Sequence, residues 1–398
     1  MTPESGLAIF GGLPAGERGA SDDRMERKIH WITETAQLEA LVETAGGGPL
    51  SLDSEADSLH RYPEKVCLVQ LHVGGQGHLI DPLAGLDLSP LGPLLADREL
   101  LKILHGADYD LRVLHRDFGL EIRGLFDTMV AARLLGESAF GLAALLERHF
   151  GVSLDKKYQR ADWSRRPLPA AMARYAALDT QYLEALAGKL RLELERLGRM
   201  PWAEEEFRRL EAVRWNSEPD PEPFRKIKGS AGLGRRGLAA LRELAVLREA
   251  EARRRGRPPF MVLSNDALIR LAGELPESQA ELAGLSRLPD GWRRGPSART
   301  LLDAIRSVLS LPEEELPERR SRRRPVRSPG HDSRLRALCR ERDALAASLR
   351  IEPSVLAAKS VLEQVLLGVQ RGEEPDTVPD LRTWQAELLR PAFGRIQR

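Results

Sequence analysis

Four acidic residues and one tyrosine, spread over three short motifs, constrain the fold of this chain more than any other feature. PLSLD predicts a buried strand that runs into a loop, and alternate residues of a strand share a face, so Asp53 and Glu55 can lie in one site. ARYAALDTQYL predicts a helix in which residues four apart are neighbours, so Tyr175 and Asp179 project together. The remaining carboxylate is Asp110, in LHGADYDLRVLHRDFG.

The carboxylates predict a metal site. A cluster of carboxylates with no compensating lysine is electrostatically unfavourable, and it normally holds a proton or a cation. Hard oxygen ligands favour Mg²⁺ or Mn²⁺ over zinc. No histidines and cysteines have the spacing of zinc ligands, so we expect no structural zinc, and we interpret His105 and His115 as packing or surface residues.

The first half of the chain predicts an α/β domain with a mixed sheet, because strand patterns come first and helices follow. The predicted strands are PLSLD, KVCLVQLHV, GHLID and LLKILHG, with a hairpin turn at GGQG, and the Asp-x-Glu motif is expected on the first strand. Helices are predicted near 107–118, 127–136, 141–150 and 170–197. Asp127, at the junction of a strand and a helix, is predicted to be a helix N-cap.

The three motifs, in this order, resemble those of the DEDD superfamily of 3′→5′ exonucleases. The tyrosine four residues before the last aspartate is typical of the tyrosine subclass. The longer run GVSLDKKYQRADWSRRPLPAAMARYAALDTQYL is similar to the ribonuclease D family. The resemblance is strong over about residues 30–200 and weak over most of the remainder.

This resemblance implies a two-metal-ion exoribonuclease that releases nucleoside 5′-monophosphates from RNA 3′ ends, with Mg²⁺ or Mn²⁺ as the ions. In the family's scheme Asp53 bridges both ions, Glu55 and Asp179 hold the ion that binds the attacking water, and Asp110 supports the second ion. Tyr175 orients that water, since a tyrosine with an ordinary pKa near 10 is a poor general base at neutral pH. Transfer-RNA precursors and other small structured RNAs are the implied substrates.

Two assignments near these motifs have alternatives. The family's aspartate stands immediately before an apolar residue, here Leu111, which selects Asp110, whereas Asp108 suits a helix start. The loop DKKYQRADWSRRP is rich in hydrogen-bond donors and has a stacking aromatic, so it can hold a phosphodiester backbone, and the alternative is an ordinary basic loop. The predicted substrate-binding residues are Lys156, Gln159, Arg160, Trp163 and Arg165.

The predicted fold class is a ribonuclease H-like α/β exonuclease domain with a mixed sheet, followed by two all-α domains. The first helical block resembles the HRDC module, a small nucleic-acid-binding domain, and the second is a shorter, divergent HRDC-like unit. The predicted boundaries are a disordered tail at 1–28, the exonuclease domain at 29–200, a connecting segment at 201–231, the HRDC domain at 232–312, a charged linker at 313–331 and the HRDC-like domain at 332–398.

Charge and cysteine content indicate the partners and the compartment. The net charge is only +1, but arginine-rich runs recur after residue 225, in FRKIKGSAGLGRR, EARRRGRPP and ERRSRRRPVR, and suggest acidic partners. The only cysteines, Cys67 and Cys339, argue against a disulfide framework and fit a reducing cytoplasm. No segment approaches the ~18 apolar residues of a membrane span, and the start lacks the pattern of a secretory signal. We expect a cytoplasmic monomer that binds RNA.

Two rival functions remain open at this point. A DNA-directed exonuclease uses the same metal site, although no polymerase or helicase motif accompanies the domain here. A non-enzymatic RNA-binding scaffold would have lost part of the site, and all five motif residues are intact.

Overall fold

The computed structural model describes residues 29–396 except 46, 217, 219 and 320–327. The predicted tail at 1–28 and much of the predicted linker at 313–331 lie outside the described residues. The chain forms two compact units. The first comprises the described residues of Met1–Glu55, Val66–Trp215 and Arg324–Arg398, and the second those of Ala56–Lys65 and Asn216–Arg323.

A six-stranded mixed sheet lies in the first unit. Its strands are β1 (Ile29–Ile32), β2 (Leu50–Ala56), β3 (Val66–Val73), β4 (Gln76–Ile80), β5 (Lys102–Leu104) and β6 (Leu125–Asp127). Their spatial order is β1-β4-β3-β2-β5-β6. β4 pairs parallel with β1 and antiparallel with β3, and β5 pairs parallel with both β2 and β6. This confirms the predicted mixed α/β class.

The central strand β3 and the turn after it follow directly from the sequence. Every residue from Val66 to Leu71 is buried, as expected for a near-continuous apolar strand that is covered on both faces. Gly74 and Gly75 follow with φ of 58° and 77°, a conformation that L side chains rarely adopt. The predicted hairpin between β3 and β4 is therefore confirmed.

Two local predictions are wrong. The Asp-x-Glu motif lies on the second strand, because Ile29–Ile32 forms an earlier strand against β4. Four residues are too few to show a hydrophobic period, so pairing with β4 determines this strand. The segment at 170–197 forms two helices that meet at Tyr182 rather than one.

Eight helices of the described sequence surround the sheet in the first unit before residue 215. They are α1 (Thr35–Thr44), α2 (Leu91–Ala96), α3 (Asp108–Phe118), α4 (Thr128–Leu135), α5 (Leu142–Phe150), α6 (Ala170–Gln181), α7 (Leu183–Arg196) and α8 (Met200–Glu211). α8 occupies part of the predicted connecting segment. Pro201 stands in its first turn, where a missing N–H costs nothing, and Ala203 and Phe207 are buried in the core.

The second unit is helical. It contains α9 (Arg235–Arg255), α10 (Pro259–Val262), α11 (Asn265–Glu274), α12 (Gln279–Gly284) and α13 (Gly295–Leu309). Leu238, Leu241 and Trp292 belong to its own hydrophobic core, and the Trp292 indole donates to the Val262 carbonyl at 3.0 Å. Ser264 caps α11 by accepting from the Ala267 N–H. None of the helices in the described ranges is long and apolar enough to cross a membrane.

The C-terminal helices belong to the first unit. They are α14 (His331–Leu349), α15 (Pro353–Leu356), α16 (Lys359–Gln370) and α17 (Thr383–Ile396). One hydrophobic core contains Phe126 and Leu190 together with Leu362 and Trp384. The Trp384 ring also stacks on Trp202 of α8, with centroids 4.8 Å apart. The C-terminal helices therefore contribute to the same hydrophobic core as Phe126 of β6 and Leu190 of α7.

Candidate metal centre

β2 and α6 bring three carboxylates into one cluster. Asp53 and Glu55 are alternate residues of β2, and Asp179 lies on α6, one turn after Tyr175. A carboxylate oxygen from each of Asp53, Glu55 and Asp179 lies within 4.8 Å of the other two. α6 packs on β3 and β4, which fixes its acidic residue beside the end of β2. The strand and helix spacings in the sequence therefore converge as expected.

Asp110 joins this cluster through β2. It lies in the first turn of α3, and its carboxylate accepts a 2.5 Å hydrogen bond from the Ser54 hydroxyl. Its charge acts on both Asp53 and Glu55. Asp108, by contrast, pairs with Arg112 on the same helix at 2.8 Å. This arrangement favours Asp110 over Asp108 as the fourth carboxylate.

Asp127 fixes the start of α3 and is the N-cap of α4, as predicted. Its side chain accepts from the N–H groups of Met129 and Val130 in the first turn of α4. It also accepts from the N–H groups of Gly106 and Ala107, at 3.1 and 2.8 Å, just before α3. This buried carboxylate therefore ties together the two helix starts and has a structural role.

Burial raises the pKa values of all four carboxyl groups, and the charges of neighbouring carboxylates add to the shift at Asp53 and Glu55. The pKa of Asp53 is raised well above its usual value by burial and then by the charges of Asp110, Asp179 and Glu55. Burial, followed by the charges of Asp179 and Asp110, raises the pKa of Glu55 to about 9. Burial raises the pKa of both Asp110 and Asp179 to about 7, although Ser54 and Tyr175 respectively donate hydrogen bonds that oppose the shift. Four negative charges are therefore not stable together in this site without a cation.

These residues fit a divalent cation. The charges that act on Glu55 are those of Asp179 and Asp110, which have the same sign and favour a neutralising cation at the site. Closely spaced carboxylate oxygens are the ligand set that Mg²⁺ and Mn²⁺ prefer. His105 takes a different role, because its Nδ1 lies 2.9 Å from the Thr128 hydroxyl.

Tyr175 faces the cluster and keeps its proton. Its hydroxyl donates to Asp179, and its ring packs against Trp163 and Tyr158, with centroids 6.1 and 5.7 Å away. Burial and the charges of Asp179, Glu55 and Asp53 raise the pKa of the phenol above its usual value of 10. The hydroxyl is therefore a hydrogen-bond donor at neutral pH and not a base.

The basic loop before α6 divides into exposed and buried residues. Gln159, Arg160 and Arg165 are exposed, and Lys156 begins a short 3₁₀ turn. Trp163 is only 1% exposed and packs in a core with Tyr175. The prediction that its indole stacks on a substrate base disagrees with this burial. Its ring packs against the ring of Tyr175 instead.

Sequence reasoning missed two contacts that position the site. Ser54 lies between the two acidic residues of β2, and its hydroxyl donates a hydrogen bond to Asp110. The presence of a small hydroxyl residue inside the Asp-x-Glu motif is the sequence feature that could have indicated this contact. The guanidinium of Arg166 donates to both carboxylate oxygens of Asp81 at 2.6 Å and to the Cys67 carbonyl at 2.7 Å. This clamp fixes the basic loop to the sheet, and nothing in the local pattern paired these distant residues.

Comparison with known proteins gives a consistent result. A family model described as a 3′-5′ exonuclease matches residues 29–195, and a model of the HRDC domain matches residues 237–305. The chain is 32% identical over 375 residues to ribonuclease D of Acidiphilium cryptum, covering 92% of this chain and 93% of the relative. It is 31% identical over 368 residues to ribonuclease D of Escherichia coli, covering 92% and 97%.

Solved structures agree with the sequence matches. The crystal structure of Escherichia coli RNase D, described as an exoribonuclease involved in structured RNA processing, superimposes with a TM-score of 0.73 at 30% identity, over 92% of this chain and 98% of that one. The catalytic core of RRP6 from Trypanosoma brucei gives a TM-score of 0.62 at 28% identity, over 71% and 79%.

Proposed function

Because the chain belongs to the ribonuclease D family and is a 3′→5′ exoribonuclease, we propose that it trims the 3′ ends of small structured RNAs, transfer-RNA precursors among them. It would release nucleoside 5′-monophosphates. The related Escherichia coli enzyme is described as acting in structured RNA processing, and this supports the substrate class. The proposal depends on one observation above all: carboxylate oxygens of Asp53, Glu55 and Asp179 lie within 4.8 Å of one another.

The proposed metal ligands are the four carboxylates, of which Asp110 and Asp179 are buried and Asp53 and Glu55 are half-buried. Together they would hold two ions of Mg²⁺ or Mn²⁺, with Asp53, Glu55 and Asp179 as the clustered ligands and Asp110 as the supporting carboxylate. When bound, the ions supply an activated water, neutralise charge that develops on the phosphate and stabilise the leaving 3′ oxygen. The hydrogen bond from Ser54 keeps Asp110 oriented for this role.

Tyr175 would orient the attacking water. Its hydroxyl retains its proton because burial and three neighbouring carboxylates raise its pKa. The bond to Asp179 and the packing of Trp163 and Tyr158 against the ring restrict its orientation. A fixed hydroxyl positions a water without accepting its proton, so this residue supplies geometry.

The exposed donors of the basic loop would hold the RNA backbone. Gln159, Arg160 and Arg165 face solvent, and Lys156 belongs to the same segment. The Arg166 clamp on Asp81 restricts the motion of the loop, which lowers the entropy lost when RNA binds. Trp163 would act here through Tyr175 rather than by contact with a base.

We propose that the exonuclease segment at 29–200 acts with an HRDC domain at 232–312, separated by the segment at 201–231, and with an HRDC-like segment at 332–398 beyond the linker at 313–331. The helical segments would add phosphate contacts, which carry no sequence information. A monomer in the cytoplasm is the expected state, and light scattering after gel filtration tests its mass.

A matched pair of RNA and DNA oligonucleotides with labelled 5′ ends tests the proposed function. The expected result is stepwise shortening of the RNA from its 3′ end in Mg²⁺ or Mn²⁺, no shortening in EDTA, and at most slow action on the DNA, which lacks the 2′-OH. Asp179→Asn should abolish the RNA activity without unfolding the protein, since an amide keeps the shape but not the charge of a ligand. Faster action on the DNA would replace the proposal with a DNA-directed exonuclease.

A further inference from the structure

A cavity in the first unit is separate from the metal centre, since none of the four carboxylates lines it. Its volume is about 580 Å³, and it opens where α4, α5 and α7 end and where α14 turns into α15. A volume of this size is typical of a site for a small ligand. The cavity is therefore large enough to receive a nucleotide.

The lining carries an excess of positive charge. Arginines and lysines outnumber glutamates by five to two. The cationic residues are Arg148, Lys189, Arg196, Arg199 and Arg350, and the acidic ones are Glu137 and Glu193. A concave surface with this excess attracts anions, because the field of several like charges adds within a cleft.

Three of these cations already have partners in the fold. Arg148 pairs with Glu137, and Arg196 pairs with Glu193. Lys189 donates to the His149 carbonyl at 3.1 Å. Helix ends attract cations for structural reasons, so these contacts need no ligand.

Arg199 makes the frame of the cavity rigid. It is buried, and it donates to the carbonyls of Leu134 and Leu349, at 2.7 and 2.6 Å. The ends of α4 and α14 are thereby joined. Gly136 also lies so close to the Arg350 carbonyl that a Cβ there would come within 1.9 Å of the oxygen.

The contacts within the described part of the fold give no structural role to the Arg350 side chain. Its side chain is exposed and has no hydrogen-bond or ion-pair partner within the described ranges. It ends α14 with φ of 55°, a backbone conformation that favours glycine. A long cationic side chain at a position where glycine is less strained points to a role for the side chain.

Apolar residues lie beside the charges. Leu192 and Leu197 line the same cavity and are 67% and 39% exposed. Exposed leucines next to an unpaired guanidinium suit a ligand that combines a phosphate with a flat, weakly polar ring.

We propose that this cavity is a second nucleotide-binding site, in which Arg350 contacts the phosphate and Leu192 and Leu197 contact the adjoining base. The nucleotide is part of an RNA chain or a free nucleoside 5′-monophosphate. The proposal that the nucleotide is part of an RNA chain rests on the proposed function, because it requires that the enzyme bind RNA.

Binding experiments on the full chain in EDTA test this site without catalysis. One arm titrates a labelled 20-nucleotide RNA at several salt concentrations, and the other titrates 5′-AMP with adenosine as the control without phosphate. The variant Arg350→Gly removes the guanidinium and suits the left-handed backbone, so thermal unfolding should show an intact fold. Arg340→Gln is the matched control, because Arg340 is an exposed arginine of α14 outside the cavity.

Arg350→Gly should weaken binding of RNA, of 5′-AMP or of both by about 3- to 10-fold, and it should lower the RNA salt slope by about one. Leu192→Ser should weaken the same ligand without changing the slope. Weaker binding of the RNA would show that the bound nucleotide is part of an RNA chain. Weaker binding of 5′-AMP alone would show that the ligand is the free nucleotide.

Equal affinities of parent and Arg350→Gly in both arms would overturn the site, as would an equal loss in Arg340→Gln. Equal binding of adenosine and 5′-AMP would also overturn it, because the phosphate would then play no part. An inactive parent in the Mg²⁺ assay would contradict the proposed function alone, since these measurements exclude catalysis.

Discussion

Replacing Glu55 by glutamine should raise stability and remove activity. Without a metal ion, burial and the charges of Asp179 and Asp110 raise the pKa of Glu55 to about 9. Ionising this carboxyl therefore opposes folding at neutral pH. An amide keeps the shape and cannot ionise, so the metal-free variant avoids this destabilisation.

The sign and the magnitude follow from the two pKa values. The pKa in the folded chain lies above the ordinary 4.5, so the folded chain binds more protons, and stability falls as pH rises from about 4.5 to about 9. Each pH unit in that interval costs about 1.4 kcal/mol, which gives a ceiling of about 4 kcal/mol at pH 7.5. Rotation of the side chain toward water reduces this, and we expect a gain of ~1 to 2 kcal/mol, or several degrees in Tm.

Thermal unfolding in EDTA at pH 5 and pH 8 measures the effect. Glu55→Gln should match the parent at pH 5 and exceed it at pH 8. Addition of Mg²⁺ at pH 8 should stabilise the parent more than the variant, because a cation neutralises a site that retains all its carboxylates. The nuclease rate in Mg²⁺ should fall by at least ~100-fold. Glu43→Gln, at an exposed glutamate of α1, is the matched control and should change neither property.

Two results would refute this reasoning. An unchanged Tm of Glu55→Gln at pH 8 in EDTA would mean that the carboxyl is not held in a repulsive, buried cluster. A nuclease rate within a few-fold of the parent would mean that Glu55 is not a metal ligand.

Three further changes test other parts of the structure. Tyr175→Phe should lower single-turnover cleavage by about 100-fold while RNA and metal binding persist, because only the orienting hydroxyl is lost; an unchanged rate would reduce the residue to packing. Ser54→Ala should lower the rate about 10-fold and raise the Mg²⁺ concentration for half-maximal rate, since Asp110 loses its donor; an unchanged metal dependence would contradict this. Removing residues 332–398 should make the remaining chain unstable or insoluble, because Trp384 and Leu362 belong to the core that also contains Phe126; a cooperative unfolding transition at the parent's Tm would show that the core does not need them.

Much of the metal centre could be predicted because the relevant geometry is local. The period of a strand places Asp53 and Glu55 on one face, and the period of a helix places Tyr175 beside Asp179. The paired glycines after β3 likewise required a tight turn, and Asp127 capped a helix as its type and position indicated. These features depend on a few neighbouring residues, so the sequence alone contains the information.

The roles of Trp163 and of the C-terminal helices depended on the tertiary structure. An aromatic residue in a basic loop has the same local pattern whether it faces a base or the core, and packing against Tyr175 decided for the core. The periodicity of α14, α16 and α17 predicted amphipathic helices but not which surface their apolar faces cover. They cover the core of the first unit, which contains Phe126 and Leu190. The sequence could not predict this, because hydrophobic contacts are non-directional and their partners are determined only when the whole chain packs.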